Sequence, residues 1–420
     1  MRYFAFFAAL TPLTSGAAAQ DVRVDPSIEI VQTTAVGVSG DGADQSRLEI
    51  KPEVQVRFPN GWSTEFALSL EAAGGDTGLG TRATYDSISR PIRITDDIRA
   101  NIDRAVIAWR SGSTRLRVGK QTYAWGVLDG LQITDRIDPS SRREAIFIDN
   151  RPDRLSRWGA RAEFDVFEIR WDAAAIIDET ADELARQGDE FFVRAPRFRG
   201  GLPSGAQLPP VTFDVPSTAT FGLRATKEMA MGEIALLGFQ GPDTEPIYDL
   251  DANGVTLRYP KRSLIGANFQ LSSGAQVWRA EIAWVPDQAV NIQDLGLSID
   301  DRNRYLAGVG LDWTFKGGVF VNAQLGVDHI EGPDLVRPNT DVIGTFRIQK
   351  SWANDTLTGR LEMINSLMDG DGTMRPSLFW RATDSLSVET GIDWIRGKRE
   401  GLIGQFGDSD RVWIRLRYSA

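Results

Sequence analysis

The sequence predicts an all-β fold, a transmembrane up-and-down antiparallel β-barrel of about eighteen strands. Three observations point to it. From Arg47 to Phe58 every second residue is apolar (Leu48, Ile50, Pro52, Val54, Val56, Phe58), and the residues between are Arg47, Glu49, Lys51, Glu53, Gln55 and Arg57. A two-residue period with one apolar and one charged face suits a strand that has hydrocarbon on one side and water on the other. Period-two segments recur along the chain, joined alternately by tight turns and long polar stretches, as in barrels with short periplasmic turns and long outer loops. Finally, no stretch has the eighteen or more uninterrupted apolar residues that a spanning helix needs. A membrane span must then be built from strands.

In chain order, Arg2 followed by the apolar run from Phe4 to Leu13 and by Ala17, Ala18 and Ala19 reads as a secretory signal peptide over residues 1–19, cleaved before Gln20. Residues 20–420 form one barrel with long extracellular loops, since no linker or composition shift divides them. Ile28 to Val38 is the first strand and Arg411 to Tyr418 the last. Tight turns are expected at Pro59-Asn60-Gly61, Ser111-Gly112-Ser113, Asp165, Met231-Gly232, Ser273-Gly274, Lys316-Gly317-Gly318, Ala353-Asn354-Asp355 and Thr383-Asp384. Long loops are expected over 39–45, 74–100, 125–155, 178–217, 241–262, 286–303, 330–340, 366–372 and 396–408. With an even strand number, both termini fall on the short-turn side.

Side chains divide accordingly. Trp62, Phe66, Leu68 and Leu70, then Phe167, Ile169 and Trp171, then Trp278, Ile282 and Trp284, then Val309, Leu311, Trp313 and Phe315 are assigned to the lipid face. The twelve tryptophans suit two interfacial girdles. The lumen wall carries both signs. Arg117, Arg161, Arg170, Arg224, Arg279, Arg360 and Arg415 face Glu281, Glu362 and other carboxylates, a lining able to hold water and set up a transverse field. A salt-bridge lattice that only stiffens the wall is the competing reading.

The loop from Asp178 to Ser217 is expected to hold a short helix at Asp182 to Gln187. Its run Phe191-Phe192-Val193-Arg194-Ala195-Pro196-Arg197-Phe198-Arg199 interleaves rings with Arg194, Arg197 and Arg199, a candidate constriction if it folds inward and a lid if it does not.

A second long segment carries a resemblance. Leu116-Arg117-Val118-Gly119-Lys120-Gln121, Trp125-Gly126, Asp129-Gly130-Leu131, Asp135, Ile137-Asp138-Pro139 and Arg142-Arg143-Glu144, with a second patch at Leu257-Arg258-Tyr259-Pro260, Gly266-Ala267 and Val277-Trp278-Arg279-Ala280-Glu281, resemble a porin-like outer-membrane family of proteobacteria of ill-defined function. Its barrels look similar to alginate-export channels. The resemblance implies a β-barrel pore, in some members linked to export or lipid trafficking. The chain departs from the usual terminal aromatic of such barrels, because Tyr418 is followed by Ser419 and Ala420.

Other chemistry is poorly supplied. Zero cysteines exclude disulfides and thiolate sites. A net charge of -10, or -11 once Arg2 leaves with the signal peptide, argues against nucleic acid as a partner. No catalytic or metal site and no cofactor is assigned. The only histidine, His329, has no G-x-S-x-G elbow to serve, and Asp249-Leu250-Asp251-Ala252-Asn253-Gly254 begins like a calcium loop but meets Pro260 where the closing glutamate belongs, so it reads as a turn. The sequence therefore points to an outer-membrane channel for small polar or anionic solutes, surrounded by lipid and lipopolysaccharide. An export or lipid-handling barrel with a periplasmic partner is the alternative, an outer-membrane hydrolase the remote third. Homo-oligomerisation stays open.

Overall fold

The structure is a computed structural model that describes residues 22–38, 44–144, 153–199, 207, 209–215, 217–252, 254–294 and 296–420. The assigned signal peptide lies outside these residues, as do Gly200 and Asn253.

Among the described residues eighteen strands close into one barrel. They are β1 (Arg23–Gly37), β2 (Gln45–Arg57), β3 (Trp62–Gly75), β4 (Ile98–Ser111), β5 (Thr114–Gln121), β6 (Arg157–Val166), β7 (Ile169–Ile176), β8 (Thr220–Met229), β9 (Gly232–Pro242), β10 (Lys261–Ser273), β11 (Gln276–Gln293), β12 (Leu297–Thr314), β13 (Val319–Ile330), β14 (Thr340–Trp352), β15 (Leu357–Ser366), β16 (Asp371–Arg381), β17 (Leu386–Arg396) and β18 (Arg411–Ser419). Each pairs antiparallel with its neighbours in sequence, and β18 returns to β1, with Trp413 opposite Ala35. Closure leaves no open sheet edge, which a sheet in hydrocarbon requires.

The alternation in β2 shows which side is which. Arg47 is 8% exposed and Leu48 36%, the reverse of a water-soluble protein: charge lies inside and apolar surface outside. The assigned lipid-facing side chains Trp62, Phe66, Leu68, Leu70, Trp278, Ile282, Trp284, Val309, Trp313 and Phe315 are all exposed on the outer surface. Phe167 is exposed as well but lies in a turn, outside any strand. The turn expected at Asp165 lies two residues later, at Phe167-Glu168, where both residues take positive φ (53° and 60°), a primed hairpin turn made without glycine or asparagine.

Two loop assignments change. Most of the segment 286–303 is strand: β11 runs to Gln293 and β12 starts at Leu297, so the two continue as a paired ladder, with a bulge between Val285 and Gln288 that accommodates Pro286. The helix expected at 182–187 is absent. Glu183–Leu184 is instead a strand in a small sheet with Ser140–Arg142 and Asp153–Arg154, because its side chains are buried on both faces. Outside the barrel, Val211–Asp214, Val255–Arg258 and Ile247–Leu250 form another small sheet; of the 249–254 run, Asp249 and Leu250 are strand, and Asp251 and Gly254 hydrogen-bond to each other between the two strands.

β5 and β7 are the shortest barrel strands, at eight residues each, and β5 leaves a gap. β5 pairs with β4 only from Thr114 to Lys120, so the outer part of β4 has no β5 beside it. Ile92–Arg93 pairs there instead, opposite Ala100 and Arg99, because beyond Gln121 the chain has turned inward.

Candidate functional site: the lumen and its inward segment

The segment that follows β5 crosses the lumen. Tyr123, Trp125, Leu128, Leu131, Ile133 and Ile137 are buried against Ala174, Ile176, Leu237, Phe239, Leu264, Ala283, Val285 and Leu306, which sit on the lumen face of β7 and β9 to β12. This part of the wall is apolar inside as well as outside. Small residues complete the seat: a Cβ on Gly222 would stand 2.6 Å from the Trp125 ring, and one on Gly308 would stand 2.7 Å from Leu128.

Polar contacts fix the segment where its backbone would otherwise be unsatisfied. Trp125 Nε1 donates to Asp172 (2.8 Å) and Asn268 donates to the Trp125 carbonyl (2.7 Å). Asp135 accepts from the Trp125 amide (3.1 Å) and Asp138 from the Tyr123 amide (2.5 Å). Glu281, on β11, accepts from the Val127 and Leu128 amides through Oε1 (2.5 and 2.7 Å), and from the Thr134 amide and hydroxyl through Oε2 (2.8 and 2.6 Å). Burial pushes the Asp138 carboxyl up to about 6 against the pull of Arg157. Asp182, which pairs with Arg142 (2.5 Å) and accepts from the Ser140 amide (2.8 Å), is likewise lifted by burial to about 6.

At its other end the segment enters a chain of buried ion pairs. Glu144 joins Arg47 (2.5 Å) and Arg411 (2.6 Å), and Arg411 continues to Asp393 (2.8 Å) and on to Arg375 (2.6 Å). In the other direction Arg47 meets Glu71 (3.2 Å), which also holds Arg99 (2.7 Å) and Arg143 (2.5 Å), and both of these reach Glu183. Burial alone would raise the carboxyls of Glu144 and Glu183. Arg47 and Arg411 at the first, and Arg99 and Arg143 at the second, overcome it and hold both low.

The sequence-assigned pore residues separate into groups. Arg161 is bound by Asp172 (2.6 Å), Arg224 by Glu233 (3.6 Å), Arg279 by Asp312 (2.5 Å), Glu362 by Arg347 (2.6 Å), and both Arg360 and Arg415 by Glu389 (3.6 Å each). Arg170 pairs with Glu228 at the short-turn rim. Arg117 lies directly opposite Arg161 in the β5–β6 ladder, and among the described residues no carboxylate comes within 4 Å of it. Glu281 does not line open space: it is 1% exposed, beneath the inward segment. In the long loop, Arg194 is exposed with its amide on Gln405 (3.0 Å), and Arg199 donates to the Arg194 carbonyl (3.2 Å). Arg197 belongs to a short turn at Pro196–Phe198. Phe191 is fully buried, edge-on to Phe406 (5.6 Å), with the Arg411 guanidinium over its face (5.2 Å), whereas Phe192 and Phe198 line a small pocket with Arg194.

Space remains on either side of the segment. A cavity of about 350 Å³ is bounded by Leu131, Ile133, Leu306, Ile343, Ile364 and Ile403, with Arg304, Arg337 and Asp328 on the wall. A second, of about 490 Å³, lies against Val127, Asp129, Asp135 and Arg154. Gly130, Leu131 and Gln132 border both, so a single thickness of chain divides them. His329 is elsewhere, stacked on Tyr305 and bonded to Thr340 (2.8 Å).

The long segment is legible in the sequence and its seat is not. The available signal was the lost alternation in β9, where Ala235, Leu237 and Phe239 face inward while Ile234 and Leu236 face out.

No family model matches the sequence, and no curated protein matches it. Solved structures are similar in fold. Pseudomonas aeruginosa OccK8 (OprE) aligns with a TM-score of 0.55 at 9% identity over 94% of this chain and 98% of that one. Acinetobacter baumannii OccAB2 aligns at 0.54 and 10% identity over 97% and 99%. Pseudomonas aeruginosa OpdK solved with vanillate aligns at 0.51 and 10% identity over 95% and 98%. At these identities the likeness concerns the fold, a porin-like barrel, and it lends no support to the alginate-export likeness.

Proposed function

We propose that the protein is an outer-membrane channel for passive passage of small polar solutes, with a preference for anions. The observation that carries this reading is a closed barrel, apolar outside and charged inside, whose lumen is narrowed by one segment with a cavity on each side of it. The apolar outer belt suits membrane lipid and lipopolysaccharide. Most wall arginines are neutralised by a partner, Arg161 among them, so the anion preference rests on Arg117, which has no carboxylate within 4 Å among the described residues. The vanillate in the OpdK structure is a small carboxylate that the 350 Å³ cavity has room to admit.

The test is conductance in planar bilayers and swelling of liposomes in solutes of graded size and charge. An open channel conducts without a partner, its reversal potential under a salt gradient reports anion preference, and Arg117→Gln should weaken that preference. Properly folded protein that is electrically silent would favour the export or lipid-handling reading, which draws on the sequence resemblance and needs a periplasmic partner.

A further inference from the structure

We propose that Glu281 is the positioning residue for the inward segment, and that it acts as a built-in ligand: the segment folds into an anion nest, and the wall supplies the carboxylate that fills it. The Val127, Leu128 and Thr134 amides and the Thr134 hydroxyl converge on the two oxygens. Successive backbone N–H groups turned toward one point form an anion-binding concavity. A carboxylate has about four lone-pair directions and no donor, and all four are met here by donors. No arginine or lysine among the described residues lies within 4 Å of Glu281, unlike the other carboxylates of the inner wall described above. The nest therefore holds its anion by dipoles and shape.

The two sequence patches that carry the family resemblance meet at this point. Gly126 belongs to the first, and a Cβ there would stand 3.0 Å from Glu281 Oε1 and 2.5 Å from Asp135. Gly266 belongs to the second, and a Cβ there would stand 2.9 Å from Thr134 Cγ2. Both glycines let the backbone close around the carboxylate. Seating of the segment thus depends on a carboxylate occupying the nest, whether or not that carboxylate is covalently attached.

Glu281→Ala removes Cγ, Cδ and both oxygens, a fragment the size of acetate. Hydrogen exchange of the detergent-solubilised protein reads the seat directly. Loss of charge-assisted bonds should speed exchange at Val127, Leu128 and Thr134 roughly ten- to hundredfold, and sodium acetate should slow it again where sodium chloride at equal ionic strength does not. In bilayers the same variant should flicker between conductance levels and be quietened by acetate, with the wild type indifferent to it. If Glu281→Ala fails to fold, Thr134→Val, which removes one donor, should still raise exchange at Thr134. Unchanged exchange in the variants, or recovery in chloride equal to that in acetate, overturns the proposal. The exchange readout does not depend on the channel reading: silence of every form in bilayers would refute that reading while exchange still decides the role of Glu281.

Discussion

Trp125→Ala should widen the channel without dissolving the barrel. Trp125 is fully buried, its ring packed on Gly222 and its Nε1 bonded to Asp172. Truncating a buried aromatic costs about 3–5 kcal/mol, and the lost bond to a carboxylate is on the order of 1.5–3 kcal/mol, although the two are not additive. Asp172 keeps both of its bonds to Arg161 (2.9 and 2.6 Å), so no charge is stranded. The loss therefore falls on the contact between segment and wall, while the strand ladder that closes the barrel is untouched. The assay is single-channel conductance together with the heat-modified gel mobility of the folded barrel. Conductance should rise and mobility stay as in the wild type. Trp278→Ala, on the outer surface, is the control and should leave conductance alone. Unchanged conductance in a folded Trp125→Ala protein would refute the argument that this segment sets the bore.

Other outcomes follow from the same geometry. Val309→Arg places a charge on the lipid face and should cost roughly 2–4 kcal/mol near the midplane, whereas Asp312→Asn, facing the lumen, should leave assembly intact; equal assembly of the two in folding assays would reject this register. A cysteine at Glu400 should react with an impermeant reagent on intact cells and one at Lys316 should not, since these lie at opposite rims; the reverse pattern would invert the barrel. Asp138 and Asp182 have native carboxyls raised to about 6 from an unfolded value near 3.8. Their contribution to the seat is thus full below the unfolded value and is lost as pH rises toward about 6. Segment exchange should quicken over that window and level off above it, and Asp138→Asn, which keeps an acceptor for the Tyr123 amide, should reduce the slope.

The barrel was readable because its rule is local. A strand between lipid and water must alternate, and β2, β3 and the ends of β11 and β12 do so. The rule fails where the inside is dry. Inward-facing Leu237, Phe239 and Leu264 break the period because their partner is neither lipid nor water but a segment more than a hundred residues earlier in the chain. Separation in sequence also hid the roles of Glu71, Glu144 and Glu183, each ordinary in its own stretch and defined only by arginines brought in from elsewhere in the chain. Arg161, Arg224, Arg279 and Glu362 could be placed on the inner wall from the period alone, but the partners that neutralise them lie across the ladder. The two resemblance patches were visible as patches, whereas their meeting at Glu281 is a property of the closed barrel.

The ion pairs of Glu144 straddle the seam where the barrel closes. Arg47 belongs to β2 and Arg411 to β18, and β1 lies between them. Glu144 can hold both only after the last strand has docked on the first. That pair of contacts therefore ties the end of the crossing segment to the seam itself, and is complete only in a barrel that has closed.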